Sequence, residues 1–180
     1  MRYAQYIAGV ALLWAVVACS SGPSKEFVEQ ATKELTDLKG ASEKLNALKG
    51  DVASLQDPFA AVKQELGKVW TEKVEKDKEL VDKANALTEQ AKKLSEEVAS
   101  VEGQLNSALS EAQSFVDGLA TQKKGDEELK KEWEAIKTKI TEAAGKVDQL
   151  AGQVAQLKQE VQAHTEAIKA KYAPKPAAKK

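Results

Sequence analysis

Apolar residues recur along this chain at alternating steps of four and three. Between residues 129 and 168 they fall at Leu129, Trp133, Ile136, Ile140, Ala143, Val147, Leu150, Val154, Leu157, Val161, His164 and Ile168, with the lone histidine in register. The stretch before it does the same through Leu80, Ala84, Leu87, Ala91, Leu94, Val98, Val101, Leu105, Ala108, Ala112, Phe115 and Leu119. Spacing that averages 3.5 residues keeps one stripe of a helix facing a partner, so both runs predict coiled-coil helices. A third run is less regular. Ala31, Leu35 and Leu38 shift phase before Leu45, Leu48, Val52 and Leu55, and Gly40 and Gly50 weaken it. A further slip lies between Val69 and Leu80, where Lys73 and Asp77 fall on seam positions.

Breaks in the pattern set the boundaries. Asp57-Pro58 reads as an N-cap followed by the first helical residue. Lys123-Lys124-Gly125-Asp126-Glu127-Glu128 reads as a basic helix end, a glycine able to take positive φ, and an acidic helix start. The spacing therefore predicts helices over about 25–56, 58–124 and 126–172, an all-α chain with an elongated coiled coil. Two arrangements are compatible with it. A parallel oligomeric rod would carry the frame through Leu119 to Leu129, placing Gln122 and Asp126 in the seam beside Gly125. An antiparallel hairpin of 58–124 with 126–172, the arrangement favoured here, pairs seam residues whose numbers sum to about 248. Leu129 then meets Leu119, Trp133 meets Phe115, Ile136 meets Ala112 and His164 meets Ala84, with Lys139 beside Glu111. Val81, Leu109, Val116, Ala144 and Ala151 widen the stripe, which asks for a third helix or a second copy of the chain. The first helix could supply it by turning back at Pro58.

Composition narrows the function classes. With 27 basic and 28 acidic side chains the charge nearly cancels, which argues against nucleic acid as a partner. Aromatics make up 5% and charged residues 31%, a profile of long helices rather than a broad globular core. One cysteine excludes an internal disulfide, and one histidine leaves no ligand set for a metal. No catalytic constellation emerges, so no enzyme activity and no cofactor beyond a covalent lipid is expected. Trp70 and Trp133 read as core anchors.

The first residues are of another kind. Residues 1–18 carry one positive charge, about twelve uncharged, mostly apolar residues and a small-residue boundary, the layout of a secretory signal. The run is shorter than the ~20 residues a membrane-spanning helix needs. Val16-Val17-Ala18-Cys19 resembles the lipobox of bacterial lipoproteins, and the only cysteine stands where that motif requires it. The resemblance implies cleavage before Cys19, a diacylglyceryl group on its sulfur and an N-acyl chain such as palmitate, enough lipid for stable anchoring. Ser20, in place of an aspartate, implies the outer membrane. Residues 19–25 would form a lipidated tether, 26–172 the helical domain, and 173–180 a Pro/Ala/Lys tail carrying no acid.

Cys19-Ser20-Ser21, Lys146-Val147-Asp148-Gln149-Leu150, Lys171-Tyr172 and Lys180 together resemble the major murein lipoprotein family over part of the chain. That family is a trimeric outer-membrane coiled coil whose last lysine is joined to peptidoglycan. The resemblance implies Cys19 as the lipid site, Lys180 as the wall-linkage candidate, and homo-oligomerisation. The expectation is a lipid-anchored, periplasm-facing structural protein of the cell envelope, spacing or tethering the outer membrane to peptidoglycan or another envelope component. The alternative is a surface-exposed or adaptor lipoprotein that binds a protein through its helical face.

Overall fold

A computed structural model describes residues 22–173. The expected signal, Val16, Val17, Ala18 and Cys19 of the lipobox, and the tail from Pro174 to Lys180 all lie outside the described residues. Within them the chain is all α-helical. α1 spans Lys25–Leu38, α2 Gly40–Ala53, α3 Ala60–Leu66, α4 Lys68–Glu72, α5 Lys78–Gly118 and α6 Asp126–Tyr172, with single 3-10 turns at Val74–Lys76 and Leu119–Thr121.

α5 and α6 form the antiparallel hairpin, in the register the spacing predicted. Phe115 stacks on Trp133 with ring centroids 5.5 Å apart, and Lys139 Nζ donates to both carboxylate oxygens of Glu111 at 2.9 and 2.7 Å. Seam residues from both helices, among them Leu105, Ala112, Leu129 and Ile140, are fully buried. At 47 residues, α6 makes the bundle about 70 Å long. The single continuous rod does not form, because the chain reverses between Leu119 and Asp126.

The third helix comes from the N-terminal arm, α1 to α4, which packs against both members of the hairpin. It runs parallel to α6. Polar contacts join residues 102 to 107 positions apart: Ser24 with Asp126, Lys137 with Glu34, Lys44 with Asp148 and Lys158 with Asp51. Phe27, Ala31, Leu35, Leu45, Leu48, Val52, Leu55, Phe59, Val62 and Leu66 bury one face of the arm. This third seam covers the stripe that a two-helix coil would leave open, and Leu109, Val116 and Ala144 are half-buried as a result.

Several boundaries differ from expectation: α2 ends at Ala53, not near 56, and α5 ends at Gly118, not at 124, where a 3-10 turn takes over. The first helix is interrupted at Lys39, where apolar steps of four and four give way to three and three; the backbone there stays right-handed at φ −63° and the next seam resumes in phase. The second helix begins at Lys78, not at Pro58. From Leu45 to Leu66 the four-three spacing crosses Pro58 unbroken, so residues 59–66 bury against the same core as the arm before them. The reversal comes later, at Gly67 (φ 50°, ψ −121°), the described glycine with positive φ. What the sequence shows as a phase slip between Val69 and Leu80 is a change of direction. Lys73 and Asp77 suit it because neither has to enter a seam. Gly125, expected to take positive φ, is instead an extended N-cap at φ −75°. Lys25, where the first helix is expected to begin, opens α1.

Candidate functional site: the two poles of the bundle

The chain enters the bundle at one pole and leaves it at the other. At the entry pole, Ser24 caps α1: its backbone is extended and its Oγ accepts from the Phe27 N–H at 3.2 Å. The same serine is held across the bundle, donating from its backbone N–H to Asp126 Oδ1 at 2.7 Å and from its hydroxyl to Asp126 Oδ2. Asp126 is the first residue of α6, where the positive end of the helix dipole favours a carboxylate. The Ser24 side chain and then its backbone N–H, both bonded to it, hold the Asp126 carboxyl below its ordinary value of 3.8. Gly22 lies close to the reversal between α5 and α6, where a Cβ would sit 3.3 Å from the Gln122 carbonyl oxygen. Lys124 closes the reversal with contacts to Glu128 and Glu132.

Just inside this pole sits a polar cluster on the core. Trp133, 2% exposed, donates from Nε1 to Glu34 Oε2 at 2.7 Å, and Lys137 donates to the same oxygen at 2.9 Å. Gln30 donates to the other oxygen at 2.8 Å. Burial by itself would raise the Glu34 pKa. Hydrogen bonds from Gln30, Lys137 and Trp133, with the Lys137 charge, outweigh it and hold the carboxyl at about 2. The arrangement fixes the arm's rotation and height on α6, because the indole N–H would otherwise be buried without a partner.

At the exit pole, Asp77 plays the part that Asp126 plays at the other. It caps α5, accepting from the Leu80 N–H, and it also accepts from Lys171 Nζ and from the Tyr172 hydroxyl at 2.8 Å. Lys171 first, then Tyr172, hold the Asp77 carboxyl below its ordinary value. The same contact raises the Tyr172 phenol above 10.0. Thus the last turn of α6 is clasped to the first turn of α5. Glu65 pairs with Lys169 beside it. Val74 and Trp70 close the pole, and Lys63 Nζ lies 5.7 Å from the centre of the Trp70 ring. One turn inward, His164 is buried, with Nε2 2.8 Å from the Leu80 carbonyl oxygen and its ring edge-on to Phe59 at 5.5 Å.

His164, Trp70 and Trp133 are therefore buried in the core, as expected of them. The lipobox and Lys180 lie outside the described residues. Sequence reading missed both carboxylate clasps. Asp126 was legible only as a helix start, and Asp77 only as a poor seam residue. Among the described residues, no group of three or more His, Cys, Asp or Glu could hold a metal ion, and no helix is long and apolar enough to cross a membrane. Comparison with protein families, with curated proteins and with solved structures found no match to this chain.

Proposed function

We propose that this chain is a lipid-anchored spacer of the bacterial cell envelope. Cys19 carries the lipid, the helical bundle supplies reach, and the basic tail engages peptidoglycan or another envelope component. One observation carries this reading: the first and last described residues, Gly22 and Ala173, lie at opposite poles, about 70 Å apart along α6. In the sequence Cys19 precedes Gly22, an entry-pole residue, by three positions. The tail follows Ala173 at the exit pole. A rod held by acyl chains at one end and by lysines at the other does mechanical work through its length, and each pole is braced where such a load would enter. At the entry pole the Ser24–Asp126 clasp ties the anchor-side segment to α6 rather than to α1 alone. At the exit pole the Asp77 clasp ties the last turn of α6 to α5.

The tests address the two ends separately. Mass spectrometry of the purified chain is expected to show a diacylglyceryl and acyl addition on Cys19; an unmodified thiol rejects the anchor. Muropeptide analysis of wall digests is expected to yield a stem peptide joined to Lys180. Its absence, with Cys19 lipidated, rejects covalent tethering and leaves a non-covalent contact. A second reading, a partner-binding lipoprotein, draws on an open groove of about 280 Å³ between α5 and α6 that half exposes Leu94. Protease cleavage of the bundle on intact cells favours that reading, and protection favours the periplasmic spacer.

A further inference from the structure

The glycines inside the long helices are confined to one level of the bundle. Gly50 in α2, Gly103 in α5, and Gly145 and Gly152 in α6 are the helix-interior glycines among the described residues. The register aligns them. Lys44 meets Asp148, so Gly50 lies beside residues 154–157 of α6. Lys146 meets Gln104, which puts Gly103 across from residues near 145–147. All four fall within a stretch of about 20 Å along the bundle axis, midway between the poles.

Packing does not call for them. A Cβ built on any of the four meets nothing within 4 Å. Each sits on the outermost helical position, midway between seam residues, and each is less favourable than alanine there by about 1 kcal/mol. Two further features fall at or beside the same level. The interruption at Lys39, followed by Gly40, lies on the arm level with about residue 144. The groove lined by Gln90, Leu94, Glu97, Gln153 and Gln156 adjoins the band, and there Leu94, a seam residue, is only half-buried. All three helices thus lose helical propensity or closure in one place.

We infer that the bundle has a compliant girdle at mid-length, a band in which its helices open locally more readily than the turns on either side. In a uniform helical bundle the opposite holds, because fraying starts at the ends and protection peaks in the middle. In an envelope spacer the girdle is the place where the rod flexes; that consequence rests on the proposed function, whereas local opening is a property of the chain alone.

Native-state hydrogen exchange on the full chain tests it, with no reference to lipid or wall. Amides of α6 over 143–155 are expected to exchange at least tenfold faster than those over 131–139 and 159–167. The variants G103A, G145A and G152A should each slow the girdle about fivefold, which is about 1 kcal/mol at 1.36 kcal/mol per tenfold change, and leave the flanking turns nearly unchanged. Protection that peaks over 143–155 in the natural chain overturns the inference. So does an unchanged girdle in the triple alanine variant. The alanines fill open space, so the variants retain the fold, and circular dichroism verifies it. Should the girdle open as expected while Cys19 proves unmodified, the compliance stands and only its place in an envelope spacer falls.

Discussion

The α5–α6 hairpin and the N-terminal arm use the same four-three spacing to fill one core, yet their backbones differ. The hairpin is two long helices joined by one reversal. The arm covers a similar length with α1, α2 and α3, interrupted at Lys39 and again over residues 54–59, and α4 caps its end. Side-chain burial does not distinguish them, for Leu48 and Val62 are as deeply buried as Leu105 and Val147. A seam is satisfied by where side chains arrive, and it tolerates breaks in the helix that carries them as long as the phase is restored. Interruption costs backbone hydrogen bonds at exposed turns, where water replaces them. Loss of phase would instead expose the apolar stripe itself, which costs far more.

The largest test of this comparison is truncation on both sides of it. Leu105→Ala in the hairpin and Leu48→Ala in the arm are each expected to lower stability by about 2–5 kcal/mol in urea unfolding. A loss below about 1 kcal/mol for Leu48→Ala alone would show that the arm is a peripheral strap and not a third core helix. Next comes Gly67, which turns the arm toward α5. Gly67→Ala places a Cβ on a backbone at φ 50°, ψ −121°, and is expected to cost on the order of 1–3 kcal/mol. Alanine at Gly103, in open space on a regular helix, is expected to raise stability. Equal effects at the two glycines would break the distinction between a turn that needs glycine and a helix that merely contains one.

Acid sharpens the join between arm and hairpin. Folding holds Glu34 at about 2 against an ordinary value of 4.5, so the unfolded chain binds the proton more tightly. The contribution of this carboxylate is full above about pH 4.5 and is lost as pH falls toward 2. It amounts to about 1–3 kcal/mol, the lower part of that range reflecting its partial exposure. In Glu34→Gln the fall in stability between pH 4.5 and 2 should be shallower by this amount, as followed by urea titration at each pH. An unchanged slope would remove Glu34 as the link. The smallest effect belongs to the outer charges. A double-mutant cycle on Lys44 and Asp148, whose side chains are 62% and 61% exposed, should give less than about 1 kcal/mol and fade with salt. A larger value would mean that charge rather than the seam holds the arm in place.

Much of this architecture could be read from residue spacing. The two long seams, the numbers summing to about 248, the Phe115–Trp133 pair and the Lys139–Glu111 contact all follow from periodicity and size matching, because antiparallel helices leave few registers that bury every seam residue. The path of residues 58–77 could not be read in the same way. Pro58 is a strong local signal, yet it lies within a seam that continues through it. Gly67, a weaker signal, is where the chain bends. The clasps at Asp77 and Asp126 were equally hidden, since each joins residues about 95 to 102 positions apart that periodicity does not relate.

Sequence alone determined that residues 25–172 are largely helical, where their apolar stripes run and, once the hairpin is chosen over the rod, which of its turns face each other, because those properties depend on side chains three and four residues apart. Tertiary structure alone decided that the hairpin forms in place of the rod, that the arm lies parallel to α6, that the reversal falls at Gly67, and that Ser24 and Ala173 lie at opposite poles. These depend on which of several apolar stripes cover one another, a choice made by the whole buried surface together with the few polar groups, Trp133 Nε1, Ser24 and Tyr172 among them, that find partners in one arrangement.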